Sequence, residues 1–300
     1  MALLVPQPWI GSFASEEEFR RDQGMLAAVQ VVASNIDDKI MSSRHPQRFP
    51  AYCVACGSIK LIEVNWRLVG LEPDGSVHPA WTETGTCESC GLNSRMRAVL
   101  SFVLKSPDYT QDDECYIAEN LTPAYEIFSR LFRNLESSEF LGDYEPGERV
   151  YLERHNKSIT HQDLTKLSFD SNRFKWVVTQ DVFEHIPDYR AAFKECARVL
   201  IPGGRLVFTI PFNSSLGKTQ VRALRSADGA IEHLLPPEVH GNPISGDGSL
   251  CYQNFGWDVL DTLRDSGFET AKAHLYWGPW QGHLGVGALL FCAVKNAGRP

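Results

Sequence analysis

One segment constrains the fold more than any other: FKWVVTQDVFEHIPDYRAAFKECARVLIPGGRLVFTIPF, residues 174–212. Its period changes from strand to helix and back. FKWVVT at 174–179, apolar but for Lys175 and Thr179, reads as a buried strand. QDVFEHIPD follows as the loop at its carboxyl end. Pro187 suits a helix start and Asp188 adds favourable charge there. Phe193, Cys196, Ala197 and Leu200 recur at helical spacing, predicting a helix over 188–200. Pro202, Gly203 and Gly204 stop it, and RLVFTI at 205–210 reads as the next strand.

The same alternation extends both ways. Strands are predicted at 114–118, 137–141, 270–277 and 288–294, and helices at 96–105, 123–133 and 256–266. Strands separated by helices imply crossovers, hence an α/β, doubly wound, mostly parallel sheet with helices on both faces. Only a Gly-rich loop, 278–287, separates the last two strands, which implies an antiparallel hairpin at one edge. Ligands of such sheets bind outside the carboxyl ends of the strands. Thr179, Gln180, Asp181 and Val182 are therefore expected at a binding cleft. Residues 213–255 are weakly periodic and read as a functional insertion or lid.

Upstream, Cys53-Val-Ala-Cys56-Gly57 is mirrored by Cys87-Glu-Ser-Cys90-Gly91. Two residues between thiols let both sulfurs reach one ion, and four thiolates make a closed, structural zinc site. Zn2+ is expected on Cys53, Cys56, Cys87 and Cys90, organising residues too few to build a large core. A redox reading would need one CxxC at a strand-to-helix junction, not two in a loop-rich stretch. Cys115, Cys196, Cys251 and Cys292 lie singly and read as small apolar side chains. The chain divides into an N-terminal helical extension (1–48), a zinc-binding module (49–95) and a large α/β domain (96–300). Within the extension, 12–44 is predicted helical, with Ser15 as cap and Glu16, Glu17 and Glu18 in the first turn.

Composition narrows the partners. The chain of 300 residues is 43% apolar and 22% charged, with net charge −8. An acidic surface repels phosphate backbones, so nucleic-acid binding is disfavoured. No run approaches the roughly 20 apolar residues that span a bilayer. The first residues lack a basic n-region, so no signal peptide is read and the expectation is a cytoplasmic protein with no membrane partner. Gly217-Lys218-Thr219 lacks the upstream glycine of a phosphate-binding loop and is set aside.

The 174–212 segment closely resembles the fourth strand, following helix and fifth strand of class I S-adenosylmethionine-dependent methyltransferases with a D-V-x-E-H-x-P-D…R-V-L-x-P-G-G pattern. Asp181, Val182, Glu184, His185, Pro187, Asp188, Arg198, Val199, Leu200, Pro202, Gly203 and Gly204 fall in register. The resemblance extends over 112–296 and implies a seven-stranded Rossmann-like sheet ending in the antiparallel hairpin. It implies S-adenosylmethionine as cofactor and methyl transfer as reaction. Residue by residue, it implies Asp163 at the adenine amino group with Leu164 on the ring. It puts Glu119 in the place of the first-strand acid, with Asn120 beside it, and Glu139 at the ribose hydroxyls. Gln180, Asp181 and Val182, at the strand's carboxyl end, are the residues expected to touch that cofactor. The chain departs from the family after its first strand, where Glu119-Asn120-Leu121-Thr122-Pro123 stands in place of a glycine-rich turn.

A hydroxyl acceptor benefits from a general base, most often His. His185 in the strand-end loop and His240 in the insertion are the candidates. His233, Asn242, Tyr252 and Asn254, with Tyr276, Trp277 and Trp280, suit a sugar or another polar small molecule, although core packing is the commoner use of aromatics. The leading reading is methyl transfer to a small polar acceptor. The alternative is a noncatalytic binding fold with the zinc module as a protein-docking surface. A third, methylation of RNA or protein, draws on Arg95 and Arg97 beside the zinc module.

Overall fold

The computed structural model describes residues 6–71, 75, 77–226, 228–244 and 246–297. By contact the chain forms two compact units. One comprises Met1–Phe13, Glu17–Tyr109 and Ala273–Leu290, the other Ala14–Glu16, Thr110–Lys272 and Phe291–Pro300.

The second unit is built on parallel strands, of which Phe174–Gln180 is central. Glu114–Ile117 pairs with it in parallel on one side and Leu200–Thr209 on the other. Asn134–Ser137 extends the sheet beyond Glu114–Ile117, again in parallel, and His283–Lys295 closes antiparallel on Leu200–Thr209. With Phe268–Gly278 and Trp9–Phe13 beyond that, the sheet has seven strands among the described residues. Phe268–Gly278 and His283–Lys295 are neighbours joined by four residues, so they run antiparallel. Chain order reverses between Glu114–Ile117 and Phe174–Gln180. That is a topological switch point, where a crevice opens at the strands' carboxyl ends.

The core explains why the central strand is mostly apolar, with Lys175 its one partly exposed residue. Trp176, Val177, Val178 and Thr179 are all fully buried, as are Tyr116, Phe193, Phe208 and Phe291. Phe208 and Phe291 stack at 5.3 Å, and Phe193 packs against both Phe183 and Phe208. Helix Tyr189–Val199 turns Ala192, Phe193, Cys196 and Ala197 inward. Its cap is Asp188, whose carboxylate accepts the Ala191 amide at 3.0 Å, so Pro187 precedes the helix rather than opening it. Arg198 closes the other end by donating to the Phe169 and Leu167 carbonyls and pairing with Glu195.

Several boundaries differ from expectation. The strand expected at 137–141 runs Asn134–Ser137, because the chain then peels away and Glu139 bridges in parallel to His161. The helix expected over 12–44 begins as strand Trp9–Phe13 and divides at Asp22 into Glu16–Arg21 and Gln23–Met41. The loop expected at 278–287 is mostly strand; only Pro279–Gln281 and Gly282 turn the chain. Gly285 and Gly287 serve close approach there. A Cβ would lie 2.6 Å from Trp81 at Gly285 and 2.9 Å from Leu275 at Gly287. Among the described residues the insertion holds three short ribbons rather than a free loop: Gln220–Val221 with Gln253–Asn254, Ala223–Arg225 with Ile231–His233, and Val239–His240 with Ser249–Leu250. No helix among the described residues is long and apolar enough to cross a membrane.

In the first unit, Gln47–Cys53 pairs antiparallel with Ser58–Val64, which also pairs with Thr86–Cys87. Each CxxCG segment turns back on itself. Gly57 N donates to Cys53 O at 2.9 Å and Gly91 N to Cys87 O at 2.8 Å. Both glycines sit at positive φ, +64° and +74°, which side-chain-bearing residues seldom adopt.

Candidate functional site

Three polar segments gather at the switch point. Glu119 ends the first of them and is buried. Its carboxylate accepts Gln180 Nε2 at 2.6 Å and the Thr122 hydroxyl. Thr122 also caps helix Pro123–Leu131, accepting the Tyr125 amide at 3.4 Å. Glu139 Oε1 accepts the Asn120 amide at 2.7 Å and the Leu121 amide at 3.0 Å. The glycine-free turn is thus drawn onto a carboxylate from the segment that follows strand Asn134–Ser137. Burial pushes the Glu139 carboxyl up to about 7, although the two amides pull against it. Lys157 Nζ donates to Asn120 O at 2.9 Å and lies 4.2 Å from the centre of the Tyr125 ring.

Two buried oxygens at this turn, Asn120 Oδ1 and Gln180 Oε1, have no hydrogen-bond partner among the described residues, nor has Thr179 Oγ1, one residue earlier and so on the opposite face of its strand. Leaving such groups dry costs about 1–3 kcal/mol each. The placement of Asn120 Oδ1 and Gln180 Oε1 at the strands' carboxyl ends suits a polar ligand that would satisfy them.

The strand-end loop begins at Asp181, whose backbone is left-handed at φ 53°. Its carboxylate accepts the Thr209 hydroxyl at 2.7 Å. Val182 precedes the one-turn helix Phe183–His185. Asp163 follows His161, which lies beside Glu139. Its Oδ1 accepts both the amide and the hydroxyl of Thr165, at 2.8 and 2.7 Å, so one oxygen closes a local turn. Leu164 is buried at 6% exposure. Glu119, Asn120, Glu139 and Gln180 are thereby linked by hydrogen bonds, and the strand bridge brings the His161–Asp163 segment alongside.

His185 and His240, from loop and insertion, converge with ring centroids 5.3 Å apart. His185 Nδ1 lies 2.9 Å from Leu250 O, and His240 Nε2 lies 3.1 Å from Glu238 Oε1. Glu238 is braced by Arg222 at 3.2 Å. Cys251 Sγ is 3.3 Å from His240 Nδ1. The fully buried Glu184 lies 3.5 Å from His185 Nε2 and 3.6 Å from His240 Nδ1, and burial raises its carboxyl above the ordinary range. The insertion is fastened here by backbone as well. Tyr252 N donates to Glu184 O, and Gln253 Nε2 donates to Phe183 O and Ile186 O. Cys251 is therefore not the plain apolar filler expected from the sequence. Nothing in its weakly periodic surroundings signals partners 11 and 66 residues away.

In the other unit, the four sulfurs of Cys53, Cys56, Cys87 and Cys90 lie within 4.8 Å of one another. Cys53 and Cys90 are 3.6 Å apart and Cys56 and Cys87 3.9 Å. Zn–S bonds of about 2.3 Å in a tetrahedron require edges of about 3.8 Å, so the donors fit the ion. Arg97 is fully buried nearby and donates to the Gly85, Gln281 and Gly282 carbonyls. Arg95 pairs with Glu83 at 2.8 Å. These two arginines, which favoured a nucleic-acid or protein substrate in the sequence, are engaged internally. Tyr276 and Trp277 likewise pack inside this unit. Tyr276 meets Trp9 and His283, and Trp277 meets Trp280.

Residues 129–208 match the family model described as "Methyltransferase domain". A demethylmenaquinone methyltransferase of Staphylococcus saprophyticus is 40% identical over 63 residues, covering 21% of this chain and 27% of that protein. A ubiquinone biosynthesis O-methyltransferase of Coxiella burnetii is 32% identical over 94 residues, covering 30% of this chain and 38% of its own length. The chain thus spans between a quarter and two-fifths of these relatives. Among solved structures, phosphoethanolamine N-methyltransferase 2 of Haemonchus contortus, with S-adenosyl-L-methionine, aligns at TM-score 0.40 and 15% identity over 72% of this chain and 55% of that one. An S-adenosylmethionine-dependent methyltransferase of Mesorhizobium loti aligns at TM-score 0.41 and 13% identity over 66% of this chain and 96% of that one. The fold assignment rests on the strand order and its switch point.

Proposed function

We propose that the chain is an enzyme that transfers a methyl group from S-adenosylmethionine to a small polar acceptor, such as a sugar or secondary-metabolite hydroxyl. The observation that carries this reading is the switch point, where the buried oxygens Asn120 Oδ1 and Gln180 Oε1 lack partners among the described residues; Gln180 lies within the 129–208 match to a methyltransferase domain and Asn120 ahead of it. Glu139 would take the ribose hydroxyls, since a carboxylate accepts two neighbouring donors. Asp163 would use its second oxygen for the adenine amino group, with Leu164 against the ring. Glu119, Asn120, Gln180, Asp181 and Val182 would line the remainder. When bound, the sulfonium supplies an electrophilic methyl, so this chain's task is to orient the acceptor and exclude water. His185 and His240, where loop and insertion meet, form the acceptor side of the proposal. The quinone-precursor names of the relatives agree with a small-molecule acceptor.

Structural Zn2+ on Cys53, Cys56, Cys87 and Cys90 is part of the same reading. Four thiolates around Zn2+ carry a net charge of −2, and buried Arg97 offers a complementary charge. A second reading, a noncatalytic fold that uses its zinc module for protein docking, is favoured by one observation. Glu119, Glu139 and Asp163 already spend carboxylate oxygens on neighbouring groups of the chain itself.

Calorimetric titration of the full chain with S-adenosylmethionine separates the two. Saturable binding, competed by S-adenosylhomocysteine, is expected. Absence of heat and of competition would leave the noncatalytic reading.

A further inference from the structure

The cluster formed by the strand-end loop and the insertion carries chemistry that methyl transfer does not require. Glu184 is fully buried, yet neither carboxylate oxygen has a hydrogen-bond partner among the described residues. Two imidazole nitrogens lie just beyond hydrogen-bond range of it, at 3.5 and 3.6 Å. An ionised carboxylate without water or a donor is costly unless a positive charge stands beside it.

We infer that His185, His240 and Cys251 form a second metal site, binding a zinc-type divalent cation with the buried Glu184 carboxylate facing it. The three side chains offer ligand atoms that all lie within 4.8 Å of one another. Two imidazoles and one thiolate are a donor set that suits Zn2+. The outer partners orient both rings for it. Ligating histidines characteristically donate their other ring N–H to a carbonyl or carboxylate. Leu250 O does this for His185 Nδ1 and Glu238 for His240 Nε2. That leaves His185 Nε2 and His240 Nδ1 as lone-pair donors, and these are the atoms nearest Glu184. Cys251 Sγ stands 3.3 Å from both His240 ring nitrogens, close to the tetrahedral edge of about 3.6 Å expected for one Zn–S and one Zn–N bond; it is the bond of Nε2 to Glu238 that leaves Nδ1 for the ion. Arg222 holds Glu238 in turn.

This site clips the insertion to the sheet: His185 comes from the strand-end loop and His240 and Cys251 from the insertion. Ligation engages the ring nitrogens that proton abstraction would need, so the histidines hold the ion rather than take the acceptor's proton. The assignment does not rest on methyl transfer, although it takes His185 and His240 out of the general-base role on the acceptor side.

Equilibrium dialysis of the full chain against Zn2+, followed by metal analysis, tests it. The His240→Gln and Cys251→Ala variants are each expected to hold one metal ion fewer per chain than the wild type, while Cys87→Ser retains the ion at this site. Co2+ in place of Zn2+ in the Cys87→Ser chain is expected to show a thiolate-to-metal charge-transfer band that Cys251→Ala, added to it, removes. The band itself is read with the insertion unaltered, so its absence from the Cys87→Ser chain overturns the assignment whether or not the insertion variants fold. Unchanged metal content in the two insertion variants, or no such band, would overturn the assignment.

Discussion

At the scale of single residues, Glu139 is where sequence position and physical state meet. Its carboxyl is raised to about 7, chiefly by burial, against an ordinary value of about 4.3. A carboxyl raised by folding favours the protonated form in the folded chain. Its contribution to stability is present below the ordinary carboxylate range and is lost as pH rises through about 7. Ribose hydroxyls donate to the ionised form, so cofactor binding should show the opposite trend. Affinity for S-adenosylhomocysteine is expected to rise about tenfold between pH 6 and 8, and Glu139→Gln should flatten that rise. A wild-type affinity indifferent to pH, measured by calorimetry, would remove Glu139 from the ribose. Asp163→Ala is expected to weaken cofactor binding about tenfold, the worth of one charge-assisted hydrogen bond, with the circular dichroism spectrum unchanged. Unaltered affinity would leave Asp163 as the turn cap that its bonds to Thr165 describe.

At the scale of elements, the paired CxxCG turns and the strand–loop–helix–strand segment behave differently. Each knuckle is local: Cys53 to Gly57 and Cys87 to Gly91 are hydrogen-bonded turns that five residues determine. Both were legible in the sequence for that reason. Structural Zn2+ contributes on the order of 10 kcal/mol of folding free energy in small modules. Cys87→Ser is therefore expected to lose that ion and to open residues 51–92 to amide hydrogen exchange. A variant that exchanges like the wild type would refute a zinc-held module. The strand Phe174–Gln180 and helix Tyr189–Val199 were legible from period alone. The strand at Asn134–Ser137 was misplaced because its end depends on where Glu139 leaves to bridge His161, a long-range choice. The Gly-rich stretch before 288 misled for a similar reason. Its glycines make room for Trp81 and Leu275 within a strand, and composition cannot distinguish that use from a loop.

At the scale of the whole molecule, ligand linkage gives the broadest test. A ligand that binds the folded chain alone stabilises it by about 2.7 kcal/mol at a hundred times its dissociation constant. S-adenosylmethionine at that excess is expected to raise Tm by a few degrees. Chelation should act in the opposite direction, by removing metal from the folded chain. A Tm that does not move with S-adenosylmethionine would support the noncatalytic reading.

Local periodicity was enough to foresee strands alternating with helices in a doubly wound sheet, and the CxxCG pairs were enough to foresee two local thiol turns, because each signal lies within a short segment; the places given to Glu119, Glu139 and Asp163 came from the family resemblance instead. Tertiary structure alone decided that Arg95 and Arg97 turn inward, and that Tyr276 and Trp277 pack within their own unit. It also decided that Glu184 and His185 meet His240 and Cys251 across more than fifty residues. Such meetings depend on how the insertion folds back onto the loop, and no local pattern records that.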